Sequence, residues 1–95
     1  MEKKPVIRKY IRFHGWVQGV GFRMFVQQNA LELGITGWVK NMDDGTVTME
    51  VQGTQEAIDR LEAIIREGNY FIKVQSFGLE VRDVIAMERR FDIRY

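Results

Sequence analysis

The fold is set largely within residues 6–34, VIRKYIRFHGWVQGVGFRMFVQQNALELG, where the spacing of the apolar side chains changes once. In residues 6–14, apolar and charged side chains alternate, and this period of two predicts a strand with one buried face. The inward positions are Ile7, Ile11 and Phe13, and the outward positions are Arg8, Tyr10 and Arg12. From Phe22 onward the spacing becomes helical, with Phe22, Phe25, Val26, Ala30 and Leu33 on one face. Gly34 is placed to end this helix in a left-handed conformation.

A hairpin follows this first strand and helix. Trp38 and Val39 begin a second strand, Asp43-Asp44-Gly45 is a turn signal, and residues 46–52 alternate as a third strand with Val47, Met49 and Val51 inward. The short turn between the two runs predicts that they pair with each other.

A second helix and two further strands complete the predicted order. Thr54 is a suitable N-cap for a helix that ends at Gly68, with an apolar stripe of Ala57, Leu61, Ile64 and Ile65. A fourth strand is predicted over residues 70–82, and the shift in its apolar phase indicates a bulge near Ser76. Phe91, Ile93 and Tyr95 alternate with charged residues, which predicts a short final strand without fixing its position in the sheet.

The order βαββαβ plus a short C-terminal strand predicts an α+β sandwich of the ferredoxin-like, split βαβ type, with two helices on one face of an antiparallel sheet. In this arrangement strands one and two run parallel with strand three between them. Their C-terminal ends then lie at the same edge of the sheet. We therefore expect the loop of residues 15–21, the start of the first helix and Asn41 to lie close together.

Composition limits the kinds of chemistry that are available. The 95 residues, 45% of them hydrophobic, fit a single domain spanning residues 1–95. The absence of cysteine excludes disulfides, thiol nucleophiles and cysteine-bound zinc, and a serine–histidine hydrolase would have to use His14, the single histidine. A net charge of +1 argues against a polyanion partner, and the N-terminal sequence lacks an apolar signal, so we expect a cytoplasmic protein without a membrane or nucleic-acid partner.

The glycine-containing loop between the first strand and helix is a candidate anion site. Its residues are Gly15, Trp16, Val17, Gln18, Gly19 and Val20. Glycines let the backbone curl around an anion, and the start of a helix offers unpaired N–H groups, although glycine content alone fits a plain turn better. Arg23 changes that balance. A cation in the first turn of a helix is opposed by the helix dipole, whereas a bound phosphate makes the same cation favourable.

Asn41 is the second candidate, at the end of the second strand. An asparagine before a turn is most often a turn residue. Its predicted proximity to Arg23 favours a further role, because a carboxamide can orient a water molecule even though it is too weak a base to take a proton. Asp43 and Asp44 lack the spaced ligand series of a calcium loop, so we interpret them as hairpin residues and predict no metal site.

Both segments resemble the two signature motifs of the acylphosphatase family. The first motif, Gly-x-Val-Gln-Gly-Val-x-(Phe/Tyr)-Arg, is matched at Gly15, Val17, Gln18, Gly19, Val20, Phe22 and Arg23. The second, Gly-(Trp/Phe)-Val-x-Asn-x-x-Asp-Gly-x-Val, is matched at Gly37, Trp38, Val39, Asn41, Asp44, Gly45 and Val47. The resemblance covers about residues 13–53 and the ending at residues 91–95. Residues 68–89 follow no family pattern that we recognise.

The resemblance implies an enzyme that hydrolyses acyl phosphates to a carboxylate and inorganic phosphate without a metal, a cofactor or a covalent intermediate. It also implies the site: Arg23 and the backbone N–H groups of residues 15–20 hold the phosphate, and Asn41 positions the attacking water. We expect a monomer whose partners are the small acyl phosphate and its phosphate product. No general base is identified.

Several alternatives remain open from the sequence. RNA-recognition motifs share the βαββαβ order, but the third strand lacks their basic-glycine-aromatic signature. A non-catalytic small-molecule sensor, or a related domain detached from a larger maturation protein, would lack activity on a simple acyl phosphate. His14 is more plausibly a partly exposed structural residue than a general base. The aromatic residues Tyr10, Phe13, Trp16 and Trp38 more often close a core than form a stacking platform.

Overall fold

The computed structural model describes residues 4–16, 18, 21–68 and 73–95, without the side chains of residues 16 and 73–77. Within these ranges it contains five strands and two helices. Their bounds are β1 Val6–Trp16, α1 Phe22–Glu32, β2 Thr36–Asn41, β3 Val47–Thr54, α2 Gln55–Glu67, β4 Lys73–Arg82 and β5 Phe91–Arg94. The predicted order of elements is confirmed. The start of the fourth strand, predicted at Tyr70, lies outside the described residues, as do Val17, Gly19 and Val20 of the candidate anion loop.

The sheet has the order β4-β1-β3-β2-β5. Strand β3 pairs antiparallel with both β1 and β2, so these two strands run parallel with β3 between them, as the split βαβ arrangement predicts. Strand β4 pairs antiparallel with the other side of β1. The prediction of an antiparallel sheet is wrong for the final strand, because β5 pairs parallel with β2 and makes the sheet mixed. Alternation within four residues identifies a strand but carries no information about its partner.

The core lies between the sheet and the two helices. Of the predicted inward residues of β1, Ile11 and Phe13 are buried there and Ile7 packs partly buried against them. The predicted inward residues of β3 and Val39 of β2 are also buried. Helix α1 contributes Phe22, Val26 and Ala30, and α2 contributes Ile58, Leu61 and Ile65. The rings of Phe13 and Phe22 meet edge to face, with their centroids 5.3 Å apart, and so join the end of β1 to the start of α1.

Local sequence signals also agree with the structure at the ends of the elements. The Thr54 hydroxyl oxygen accepts a hydrogen bond of 3.2 Å from the backbone N–H of Ala57, as expected of an N-cap. Gly34 and Gly68 follow the two helices with positive φ angles of 70° and 65°. The β1–β4 register moves from His14↔Ser76 to Gly15↔Val74, which places the predicted bulge beside Ser76.

Gly37 lets two strands approach closely. Its φ angle is +138°, and a Cβ atom added there would lie 1.9 Å from the carbonyl oxygen of Glu50 on β3. Its N–H also donates a hydrogen bond of 2.8 Å to the carbonyl oxygen of Arg90, just before β5. Because a side chain would collide with the backbone of β3, only glycine fits at this junction of three strands.

Arg8 departs from the alternation that the sequence indicates. It lies on the face of β1 opposite the helices, yet its relative exposure is 1%. Its guanidinium donates to the carboxylates of Glu50 and Glu88, at 2.6 and 2.8 Å. Burial by itself would lower the pKa of Arg8, but the hydrogen bonds to Glu88 and Glu50 and the negative charges of both carboxylates together outweigh it, so the pKa is raised. The segment between β4 and β5 therefore covers this end of the outer face.

Candidate active site

A cavity of about 210 Å³ lies at the edge of the sheet where β2 and β5 end and α1 begins. The described residues that line it are Gly21, Phe22, Arg23, Met24, Asn41, Ile93 and Tyr95. The topology thus brings Arg23 and Asn41 to one cavity although they are 18 positions apart in the chain. No helix in the described residues is long and apolar enough to cross a membrane.

Arg23 lies in the first turn of α1, and its side chain contacts the C-terminal end of β5 and the residue that follows it. Its Nη1 donates a hydrogen bond of 3.0 Å to the carbonyl oxygen of Arg94. The guanidinium carbon also lies 4.7 Å from the centroid of the Tyr95 ring, within the range of a cation–π contact. Arg23 forms no ion pair with a carboxylate in the described part of the chain, so its charge is available to an anion in the cavity.

The start of α1 adds positive electrostatic potential beside the Arg23 guanidinium. Its N-cap is Gly21, which has a left-handed backbone with φ 75° and no side chain to cap the first turn. The first turn contains no acidic residue among the described positions of α1. Backbone N–H groups at a helix start that lacks side-chain acceptors, next to a guanidinium, form a site for an anion.

Asn41 is the last residue of β2 and pairs with Val47 of β3. Its side-chain oxygen Oδ1 is buried and accepts no hydrogen bond from the described residues. A buried acceptor without a donor costs free energy unless a water or ligand supplies the proton. Asn41 is therefore a polar group at the inner end of the cavity with a free acceptor.

The turn after Asn41 is stabilised by its own residues. Oδ1 of Asp44 accepts from the Thr46 hydroxyl at 2.6 Å and from the Thr46 backbone N–H at 3.0 Å. These bonds hold the pKa of Asp44 below its usual value, the side-chain bond being the larger cause. Asp44 thus acts in the hairpin, as predicted. No group of three or more His, Cys, Asp or Glu side chains in the described ranges is arranged to hold a metal ion.

Gln18 connects the candidate anion loop to this turn. Its Nε2 donates to the carbonyl oxygens of Met42 and Thr46, at 2.7 and 2.8 Å. The Gln18 side chain is therefore engaged with the hairpin, which leaves its backbone as the part that could face an anion. Gly15 and Trp16 belong to the end of β1, and the other loop residues named from the sequence lie outside the description.

His14 and the outward aromatic residues lie elsewhere. His14 is exposed on the face of the sheet opposite the helices and does not line the cavity within the described residues. On the same face, the guanidinium of Arg82 covers the Tyr10 ring and that of Arg94 covers the Trp38 ring, at 4.9 and 4.6 Å. Phe13 is part of the core.

Three lining residues were not identified from the sequence as parts of the site. Ile93 and Tyr95 share the alternating phase of β5, but this signal could be used only once the partner of β5 was known. Met24 follows Arg23 directly, and no feature of the sequence distinguishes it from an ordinary exposed helix residue.

The fold and the cavity define a ferredoxin-like α+β protein that presents an arginine and an asparagine in one cavity at the start of a helix. The chain belongs to the acylphosphatase family, because the Acylphosphatase family model matches residues 9–93. This match includes residues 68–89, where the sequence had suggested no family pattern.

Individual relatives agree with this membership. The chain is 50% identical over 88 residues to an acylphosphatase of Geobacillus kaustophilus (strain HTA426), covering 93% of this chain and 94% of that protein. It superposes on the crystal structure of acylphosphatase from Bacillus subtilis with a TM-score of 0.87 and 36% identity, covering 94% and 99% of the two chains. Full-length HypF in its phosphate- and nucleotide-bound form matches 99% of this chain at a TM-score of 0.89 and 26% identity, over 12% of the HypF chain.

Proposed function

We propose that this member of the acylphosphatase family hydrolyses acyl phosphates in the cavity lined by Arg23 and Asn41. The observation that carries the proposal is the presence of both side chains in one cavity at the uncapped start of α1. The guanidinium of Arg23 can bind the phosphoryl oxygens, and the amide of Asn41 can orient a water molecule. The substrate is the mixed anhydride of a carboxylic acid and phosphoric acid.

In this proposal the phosphoryl group lies against Arg23 and the backbone N–H groups at the start of α1. A guanidinium matches two phosphoryl oxygens with parallel N–H bonds, and the helix dipole favours their charge. The backbone N–H groups of residues 15–20 complete the cradle. Charge on the equatorial oxygens changes during phosphoryl transfer, so donors fixed in advance stabilise the transition state.

Asn41 orients the attacking water through its free Oδ1. The water oxygen forms a bond to phosphorus while the bond from phosphorus to the acyl oxygen breaks, and its electron pair leaves on the carboxylate. The products are a carboxylate and inorganic phosphate, and one water proton passes to solvent. An amide supplies position and not basicity, so the rate depends on alignment of water, phosphorus and leaving oxygen.

The leaving group explains why this site can work without an acid, a metal or another cofactor. A carboxylate is the conjugate base of an acid with a pKa of about 4, so it leaves without being protonated. An alkoxide is a far stronger base, because its conjugate acid is about as weak an acid as water, so it needs assistance to leave. The proposed machinery therefore suits acyl phosphates and not alkyl phosphate monoesters.

The domain extent, oligomeric state, cellular location and partners of the protein stay predictions. These are a single domain over residues 1–95, a monomeric state, a cytoplasmic location and the absence of nucleic-acid and membrane partners. The net charge of +1 supports the lack of a polyanion partner.

The proposal is tested by following hydrolysis of benzoyl phosphate and of an alkyl phosphate in excess chelator. We expect turnover of benzoyl phosphate that the chelator does not change and a kcat/KM for the alkyl phosphate lower by several orders of magnitude. Comparable values for the two substrates would overturn the mechanism, and inhibition by the chelator would reveal a metal site. Phosphate binding without turnover would instead support a sensor.

A further inference from the structure

The cavity at the start of α1 has a polar inner end and an apolar outer end. Oδ1 of Asn41 is buried, whereas Met24 and Tyr95 are 59% and 91% exposed. Ile93, which is partly buried and pairs with Val39, two residues before the end of β2, lies between these extremes. We call the end with the buried amide oxygen the floor of the cavity and the end formed by Met24, Ile93 and Tyr95 its rim.

The chemistry of the reaction assigns the two ends of the cavity to two ends of the substrate. Water and the leaving oxygen lie on opposite sides of phosphorus during in-line transfer. If Asn41 orients water at the floor, the acyl oxygen points toward the mouth, and the acyl chain that it carries passes the rim. The rim residues are then the ones that contact the part of the substrate that differs between acyl phosphates.

We propose that Met24, Ile93 and Tyr95 form an acyl-binding rim that makes the enzyme prefer acyl phosphates with long apolar acyl groups to acetyl phosphate. The inference rests on the proposed function, whose site it extends. Exposed apolar residues that stand singly need no explanation, but three around one concave site offer surface that an apolar chain would cover. Methionine suits such a site, because its flexible thioether adapts to chains of different shape.

Leu31 provides a matched control for Met24. Both residues are apolar, both belong to α1, and their exposures are 58% and 59%. Leu31 does not line the cavity within the described residues. Glutamine is unbranched and has good helix propensity, and replacing either residue by it removes apolar surface at a similarly exposed position of the same helix.

The experiment compares kcat/KM for hexanoyl and acetyl phosphate, whose carboxylate leaving groups have nearly equal basicity. We expect the wild-type enzyme to favour hexanoyl phosphate, and Met24→Gln to lower the ratio of the two values about four- to fifteenfold, the factor for burying one or two methylene groups. Leu31→Gln and the apolar variant Met24→Leu should keep the wild-type ratio. The inhibition constant for inorganic phosphate should stay within about twofold in Met24→Gln, because phosphate does not reach the rim.

The outcomes separate the rim from the reaction itself. Equal kcat/KM values for both substrates in the wild-type enzyme would overturn the proposal that the rim binds the acyl group, and so would a wild-type ratio in Met24→Gln. In either case the proposed function stands. A fall in Leu31→Gln equal to that in Met24→Gln would also overturn the proposal for the rim. If neither substrate is hydrolysed, the proposed function fails and the rim fails with it.

Discussion

The side-chain amide of Gln27 donates a hydrogen bond of 2.9 Å to the backbone carbonyl oxygen of Phe91. Gln27 lies one helical turn after Arg23, which makes the corresponding bond to Arg94 at the other end of the same strand. Two side chains of α1 thus hold the first and last residues of β5. These two bonds fix the final strand against α1, the helix that carries Arg23, the proposed phosphate-binding residue.

Gln27→Ala should loosen β5 and lower kcat/KM a few-fold, although Gln27 does not line the cavity. We expect the free energy of unfolding to fall by about 0.5–1.5 kcal/mol, the net value of one hydrogen bond. Steady-state kinetics and urea unfolding measure the two effects. Gln28→Ala, an exposed neighbour on the same helix, should change neither. Equal effects in both variants would show that β5 does not depend on Gln27.

Arg23→Ala should abolish most turnover and leave the fold intact. Loss of one preorganised donor to a transition state costs about 100-fold or more in kcat. The variant loses the bond to Arg94 and the ring contact with Tyr95, but it also relieves a cation at the positive end of a helix, worth about 0.3–1 kcal/mol. Thermal melting should therefore move little. Arg60→Ala on α2 is the control, and an unfolded Arg23→Ala protein would make Arg23 a structural residue.

Asn41→Ala should lower kcat much more than it weakens inhibition by phosphate. Loss of an oriented water costs about 100-fold, because small misplacements of reacting groups have effects of this size. The inhibition constant for phosphate should change by less than about twofold, since the proposed role of Asn41 is to orient water and not to hold the anion. Asp43→Ala, in the exposed part of the adjacent turn, controls for local disturbance. A wild-type kcat with a greatly raised KM would contradict the role given to Asn41.

Glu62 should make stability depend on pH. Glu62, on α2, exposes 14% of its side chain, and its Oε1 lies 4.0 Å from Nζ of Lys9. Burial raises the pKa of Glu62 above its ordinary value of 4.5, and the attraction of Lys9 only partly opposes this. A raised pKa in the folded state means that its contribution to stability is fully present below the unfolded value and is lost as pH rises through the folded value.

Glu62→Gln should therefore raise the melting temperature at pH 7 and have a smaller effect at pH 4. Glutamine keeps the shape of the side chain and removes the charge that burial opposes. Melting curves of the wild-type protein and the variant between pH 4 and 8 measure the difference. Glu67→Gln, at the exposed end of the same helix, should keep the wild-type pH profile. A variant that is less stable at pH 7 would mean that the attraction to Lys9 outweighs burial.

Arg8→Ala should destabilise the protein by about 3 kcal/mol or more, because it leaves two largely buried carboxylates without their cation. Glu50 and Glu88 expose 20% and 17% of their side chains, and both bind Arg8. Arg12→Ala, at the next outward position but one along β1, is exposed and should change stability by less than about 0.5 kcal/mol. Urea unfolding measures both. A loss below 1 kcal/mol in Arg8→Ala would show that the buried ion cluster contributes little.

Arg8 also illustrates what periodicity can and cannot predict. Alternation in β1 correctly identified the face that meets the helices, because that face depends on neighbours within the strand. What covers the other face depends on Glu88, 80 positions away, in a segment without periodicity. Local pattern therefore assigned Arg8 to the surface, and tertiary structure buried it.

The site shows the same division between local and distant information. The proximity of Arg23 and Asn41 could be predicted, because it follows from the order of β1, β3 and β2. Ile93 and Tyr95 could not be placed, since a four-residue strand can add to either edge of a sheet in either direction. The positions that depend on the partner of β5 were therefore the ones left open.

The parallel pairing of β5 with β2 has a consequence for the order of assembly. It joins residues 37–40 to residues 91–94, so a strand of only four residues must offset the closure of a loop of more than 50 residues. The other strand pairs, which hold most of the buried core, can form without this contact. We expect β5 to dock late during folding and to detach first under mild denaturation. The enzyme would then lose activity while its near-native fold persists, because one wall of its cavity belongs to this late-docking strand.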